Sequence, residues 1–218
     1  MNPRTTQLFE HLDHHRANLR KTVDEIPPEL RHRRPAPERW SAVEILEHLA
    51  LVERRLTYLF NQWLAEARET GLPPEGETDP GPAVNLEIVL NRGYQVTASE
   101  AVQPHGKLDE AAAWTALEEA RRDLKALVQD CEGLPLGGIV RPHPNPALGR
   151  LNFYQWVEFV GWHEARHTAQ IGENGSLLGA SLSSLPHLPP EDAAAFEADL
   201  TDLRRELDQI PPRDPWES

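Results

Sequence analysis

Apolar residues recur at helical spacing in four long segments of this chain, and no segment carries a convincing strand alternation. The first predicts a helix from about Thr5 to Ile26, with Leu8, Leu12, His15, Leu19, Val23 and Ile26 on one face. Pro27-Pro28 ends it, because proline lacks the N–H and its ring clashes with the preceding turn. A basic, proline-bearing loop follows. The second helix opens with Ser41 and Glu44, an S-x-x-E capping box, and continues to about Glu69. Its inner stripe reads Ile45, His48, Leu49, Val52, Leu56, Leu59 and Trp63.

Between Thr70 and Gly106 the pattern weakens to a Pro/Gly-rich loop and a stretch, VNLEIVLNRGYQV, that reads equally as short helix or extended chain. The third helix spans about Asp109 to Cys131, with Ala113, Leu117, Leu124 and Val128 apolar. Asn152 and Gln155 form a second capping pair for the fourth helix, which is expected to end near Gly172 or a little beyond. Its stripe is Phe153, Trp156, Val160, His163, His167, Gln170 and Ile171. A charged amphipathic helix is expected from about Glu191 to Gln209.

Four helices of about 20 residues cannot bury their stripes separately, so they bury them against one another. The expected fold is all-α: a four-helix bundle with long connections over residues 1–181, and a further C-terminal helix and tail, 182–218, packed on the same domain.

Composition narrows the function classes. With 22 Lys+Arg against 35 Asp+Glu the formal charge is −13, a surface that repels phosphate backbones, and no basic stripe offsets it; nucleic-acid binding is not expected. No apolar run approaches the roughly 20 residues of a bilayer span, and the first residues read as amphipathic helix rather than signal peptide. A single cysteine, Cys131, fits a reducing compartment, so a cytoplasmic location is expected.

Three histidines stand where core residues belong. His48 lies at helical spacing among Ile45, Leu49 and Val52; His163 and His167 lie between Val160 and Ile171. An inward imidazole must find partners for its ring nitrogens or lose a few kcal/mol. Hydrogen-bonded core histidines are one explanation. A shared divalent metal is another: residues at i and i+4 present nitrogens on one helix face, and His48 from a facing helix closes a three-nitrogen site with an open position. The run His163-Glu164-Ala165-Arg166-His167 also matches the H-E-x-x-H zinc-peptidase pattern, with Glu164 as base and Glu173 or Glu191 as the downstream ligand. Glu44 and Gln170, each one turn or less from a histidine, are candidates to orient the rings, although capping and stripe-filling explain them too. The cluster His11, His14, His15 reads as a polar helix face, with a surface metal on its i, i+3 and i, i+4 pairs as the alternative, and His105 and His143 as loop residues that could approach the site. Trp40 reads as an anchor for the second helix.

Two stretches resemble a known family. ERWSAVEILEHLALVERRL (38–56) is similar to the W-S-x-x-E-I-x-x-H-L signature of the DinB/YfiT-like superfamily of DNA-damage-inducible proteins. NPALGRLNFYQWVEFVGWHEARHTAQI (145–171) is similar to its closing P-x-L-G and H-x-x-x-H-x-x-Q-I pattern. The resemblance implies a bundle with a long crossover, often dimeric, and a zinc or nickel ion on three histidines that match His48, His163 and His167. It further implies thiol chemistry of the bacillithiol- or mycothiol-dependent kind, in which a small thiol is joined to an electrophile. A metal-dependent hydrolase using Glu164 on a metal-bound water, and a non-catalytic metal-binding stress protein, remain open beside it. A small-molecule thiol and electrophile, and a second copy of the chain, are the expected partners.

Overall fold

The structure is a computed structural model that describes residues 3–72, 85–91, 93 and 98–183. Within these, helix α1 spans Pro3–Asp24, α2 Ala42–Thr70, α3 Glu110–Asp130 and α4 Phe153–Ser183. The chain divides into two compact units, 1–179 and 180–218, and the expected helix at 191–209 lies outside the described residues. So does most of the loop after Thr70.

Local chemistry sets the helix starts where the sequence places them. Ser41 Oγ accepts the Glu44 N–H at 3.2 Å while the Ser41 N–H donates to Glu44 Oε2 at 2.8 Å. The second box closes the same way: the Gln155 N–H donates to Asn152 Oδ1 and the Asn152 N–H to Gln155 Oε1, each at 2.9 Å. Asp109 caps α3 through the Ala112 N–H at 2.7 Å.

Two expectations need correction. α4 does not stop near Gly172 but runs to Ser183. Gly175 there marks close packing rather than a terminus, since a Cβ on it would stand 3.0 Å from Ile26 Cγ1. The chain also contains strand after all: β1 (Val140–Pro142) pairs antiparallel with β2 (Arg150–Asn152), Arg141 facing Leu151. Three residues per strand are too few to show alternation, and the ribbon only delivers the chain, with Leu151 buried, to the α4 cap. Among the described residues of the 84–96 stretch, Leu86–Leu90 is a 3-10 turn.

Shared apolar clusters give the helix directions. Leu8 and Leu12 cluster with Leu56, Phe60 and Leu64 of α2, whereas Leu19 and Val23 cluster with Ile45, Leu46 and Leu49, so α1 and α2 are antiparallel. Ala113 and Leu117 join the second cluster and Leu124 and Val128 the first, so α3 runs parallel to α2. In α4, Phe153 and Val157 belong to the first cluster and Ile171 to the second, which makes it parallel to α1. A parallel α2–α3 pair requires the connection 71–109 to travel back along a helix about 43 Å long. That is the long crossover of an all-α bundle. Each fully buried Leu, Ile or Phe in the two clusters contributes roughly 1.5–3 kcal/mol.

A polar layer separates the clusters. Arg16 of α1, Glu53 of α2, Arg121 of α3 and Glu164 of α4 meet inside the bundle; Glu53, Arg121 and Glu164 are 2%, 6% and 1% exposed. Arg121 donates to Glu53 Oε1 at 2.5 Å, Glu164 Oε2 at 2.7 Å and the Leu12 carbonyl at 2.9 Å. Arg16 grips the second oxygen of Glu164 at 3.1 Å and reaches Glu53 at 3.3 Å. Every helix supplies one charge, so the layer acts as a register pin for the bundle.

Candidate metal centre

His48 sits in the second turn of α2, held there by the Ser41–Glu44 box, and His163 and His167 lie one turn apart on antiparallel α4. Packing α2 against α4 brings the three rings together: centroids are 4.8 Å apart for His48–His167, 5.4 Å for His48–His163 and 4.7 Å for His163–His167. One nitrogen from each lies within 4.8 Å of the others, and among the described residues this is the metal-ligand cluster that forms. Nitrogens bound tetrahedrally at 2.0–2.1 Å are about 3.4 Å apart, so a modest inward rotation of the rings would close on an ion.

Hydrogen bonds pre-set two of the rings. His48 Nδ1–H donates to the Val102 carbonyl at 2.7 Å and His167 Nδ1–H to Gln170 Oε1 at 2.8 Å, so Nε2 is the lone-pair nitrogen of each. Burial pushes the His48 imidazolium below its ordinary pKa, against the pull of the Val102 carbonyl. Burial, reinforced by the neighbouring His167 and His48, pushes His163 lower still. Neutral imidazole is the ligating form, so the donor set suits a divalent cation. His48 and His167 are buried, while His163 is partly exposed and leaves the cluster reachable.

The other sequence candidates fall differently. Gln170 lies against His167, its Oε1 2.8 Å from the ring Nδ1. Glu44 does not take the ring-orienting position expected of it: its carboxylate is engaged by the Ser41 N–H and by Arg34, and the His48 partner is a backbone carbonyl instead. Burial alone would raise the Glu44 carboxyl, but Arg34 and Ser41 outweigh it and hold it below the usual range. Glu164, expected as a base beside the metal, is turned into the ion layer with both oxygens bound by Arg16 and Arg121. One residue along a helix is a rotation of about 100°, which carries Glu164 off the face that presents His163. Glu173 pairs with Arg39 at 3.2 Å and is absent from the cluster, so among the described residues the downstream peptidase ligand is not assembled; Glu191 lies outside them.

Of the remaining histidines, His11 and His15 are not a plain polar face. They pack against Trp162 with centroids 5.2 and 5.3 Å away, and His11 Nε2–H donates to the Glu158 carbonyl. His143 lies on Phe159 and Trp156 at 4.6 and 4.8 Å, Phe159 being one helical turn before His163, whereas His105 is largely exposed beside Glu47. Trp40 stacks 4.8 Å from His48, so the anchor also walls the centre. Cys131 is buried at the end of α3, outside the ligand cluster.

Sequence reasoning overlooked the two clamps that hold the crossover over the histidines. Glu47, 6% exposed, accepts the His105 and Gly106 N–H groups at 3.0 Å each. Arg166 donates to the Val89 and Asn91 carbonyls at 2.9 and 2.6 Å. A charged residue adjoining each histidine was the available signal.

A family model for the DinB superfamily matches residues 11–171, a span that begins within α1 and takes in all three histidines. The chain belongs to the DinB superfamily. As a DinB-superfamily protein it shares 26% identity over 143 residues, 65% of its own length and 81% of the relative's, with the uncharacterized protein YuaE of Bacillus subtilis (strain 168). No solved structure matches it. Among the described residues, no helix is long and apolar enough to cross a membrane.

Proposed function

We propose that this protein holds one divalent metal ion, zinc or nickel, on His48, His163 and His167 and joins a small-molecule thiol to an electrophilic carbon. The observation that carries the reading is the convergence of three imidazoles from α2 and α4, two with their Nδ1–H groups already committed. An ion bound there supplies the positive charge that lowers a thiol's pKa toward neutrality. Val102 and Gln170 fix the ring tautomers, Trp40 and Phe159 wall the two sides, and partly exposed His163 marks the approach. In the transfer the S–H proton goes to solvent and the sulfur pair forms the carbon–sulfur bond, while the bond broken at the electrophilic carbon gives its electron pair to a leaving group or, where a double bond or strained ring is opened, to an atom that takes a proton from solvent.

The family resemblance directs the choice of thiol toward the bacillithiol and mycothiol class, and a reducing cytoplasm and a homodimer accompany that reading. Metal content of the purified protein beside His48→Ala, with conjugation of cellular thiols to model electrophiles in the presence and absence of chelator, tests it. Stoichiometric metal lost in the variant, and conjugation abolished by chelator, are expected. Conjugation indifferent to chelator refutes the mechanism; metal without turnover reduces the protein to a metal binder.

A further inference from the structure

The residue beside the first histidine has no part in the ligand set, yet it is buried and points at the crossover. Glu47 receives two backbone N–H groups from one peptide run, His105 and Gly106 at 3.0 Å each. Three residues upstream in that run, the Val102 carbonyl receives the His48 Nδ1–H at 2.7 Å. Gly106 permits the arrangement: its φ is +67°, and a Cβ there would stand 3.1 Å from Glu44 Oε1. Consecutive residues of α2 thus grip the same segment, one as acceptor and the other as donor.

We propose that Glu47 is a positioning residue of the metal centre: it pins residues 98–106 so that the Val102 carbonyl orients His48, and metal binding in return tightens that segment. The inference rests on the metal reading above. A ring nitrogen that gives its lone pair to a cation makes the opposite N–H a stronger donor, so the His48–Val102 bond gains when Nε2 is ligated. Linkage is reciprocal: whatever factor the pinned segment adds to metal affinity, bound metal adds to the segment's order. Glu47 touches neither metal nor substrate and acts through the loop.

Zinc affinity, by competition with a chromophoric chelator, is measured for the wild type, Glu47→Ala and Glu47→Gln. Amide exchange of His105 and Gly106 in the full chain is followed with and without zinc. Loss of both acceptors in Glu47→Ala weakens zinc about tenfold or more, the range for an outer partner of a metal histidine. Glu47→Gln, which keeps one carbonyl oxygen, falls between that variant and the wild type. Zinc slows exchange at the two amides in the wild type. A folded Glu47→Ala with affinity within twofold of the wild type overturns the inference and leaves the metal centre standing. Should that variant not fold, wild-type exchange decides, and unchanged protection on zinc addition overturns it. A wild type that binds no zinc removes the metal reading and this inference together.

Discussion

Arg121→Met tests the polar layer most directly. The substitution keeps a long side chain in place but deletes the cation that faces Glu53 and Glu164, both at most 2% exposed, and removes the side-chain donor to the Leu12 carbonyl. Breaking a buried ion pair from one side typically costs 3–5 kcal/mol, because the partner charge stays behind uncompensated. Arg16 still reaches both carboxylates, so the lower end, about 3 kcal/mol, is expected. Against a typical domain stability of 5–15 kcal/mol that is a large share, and it moves the urea midpoint down by roughly 1–2 M. Burial already raises the Glu53 carboxyl despite the opposing pull of Arg121 and Arg16. Without Arg121 its proton is held more tightly, so the deficit relative to wild type shrinks as pH falls from 7 toward 5. Adding Glu53→Gln should recover part of the loss, as coupled neighbours do. A change below about 1 kcal/mol at pH 7, or a deficit that widens on acidification, refutes the layer as a structural pin.

Other outcomes follow from the same geometry. Gly161→Ala places a Cβ inside the His11 ring and is expected to cost about 1–3 kcal/mol in chemical denaturation, with near-wild-type stability contradicting the close α1–α4 approach. Gln170→Ala removes the acceptor of His167 Nδ1–H and should weaken zinc about tenfold while leaving the far-UV spectrum unchanged, read by chelator competition. Burial, helped at His15 by His11 and His14, holds His15 and His143 down to about 4 from 6.5. The unfolded chain therefore binds these protons more tightly, and the stability the neutral rings supply is complete above pH 6.5 and lost as pH falls to about 4. With solvent screening this amounts to roughly 1–3 kcal/mol per ring, and replacing His143 by Phe should flatten its part of the pH–stability curve.

Helix identity, both capping boxes and the inward placement of three histidines were legible along the chain because each depends on neighbours within one turn. All six residues expected on the inner face of the first helix are buried. The stripe of α2 drifted, however: Val52, Leu59 and Trp63 are partly buried, while Glu53, Phe60 and Leu64 occupy the core. A single helix shows its apolar face as a broad band, and which edge of the band faces inward depends on the helices packed against it. The same limit hid Arg121 in the gap between Leu117 and Leu124. On one helix a charge reads as a boundary with water; inside a bundle it becomes a core residue once three other helices bring its partners.

The amino-acid order by itself determined four amphipathic helices, their starts and a trio of imidazoles with i, i+4 spacing, all consequences of short-range periodicity and backbone satisfaction. Tertiary structure alone decided that Glu164 serves the ion layer while adjacent His163 joins the histidine cluster, and that a crossover carbonyl rather than Glu44 meets the His48 ring. Those choices turn on rotation about the helix axis and on contacts between residues 54 and 148 positions apart in the chain, which spacing within one element does not encode.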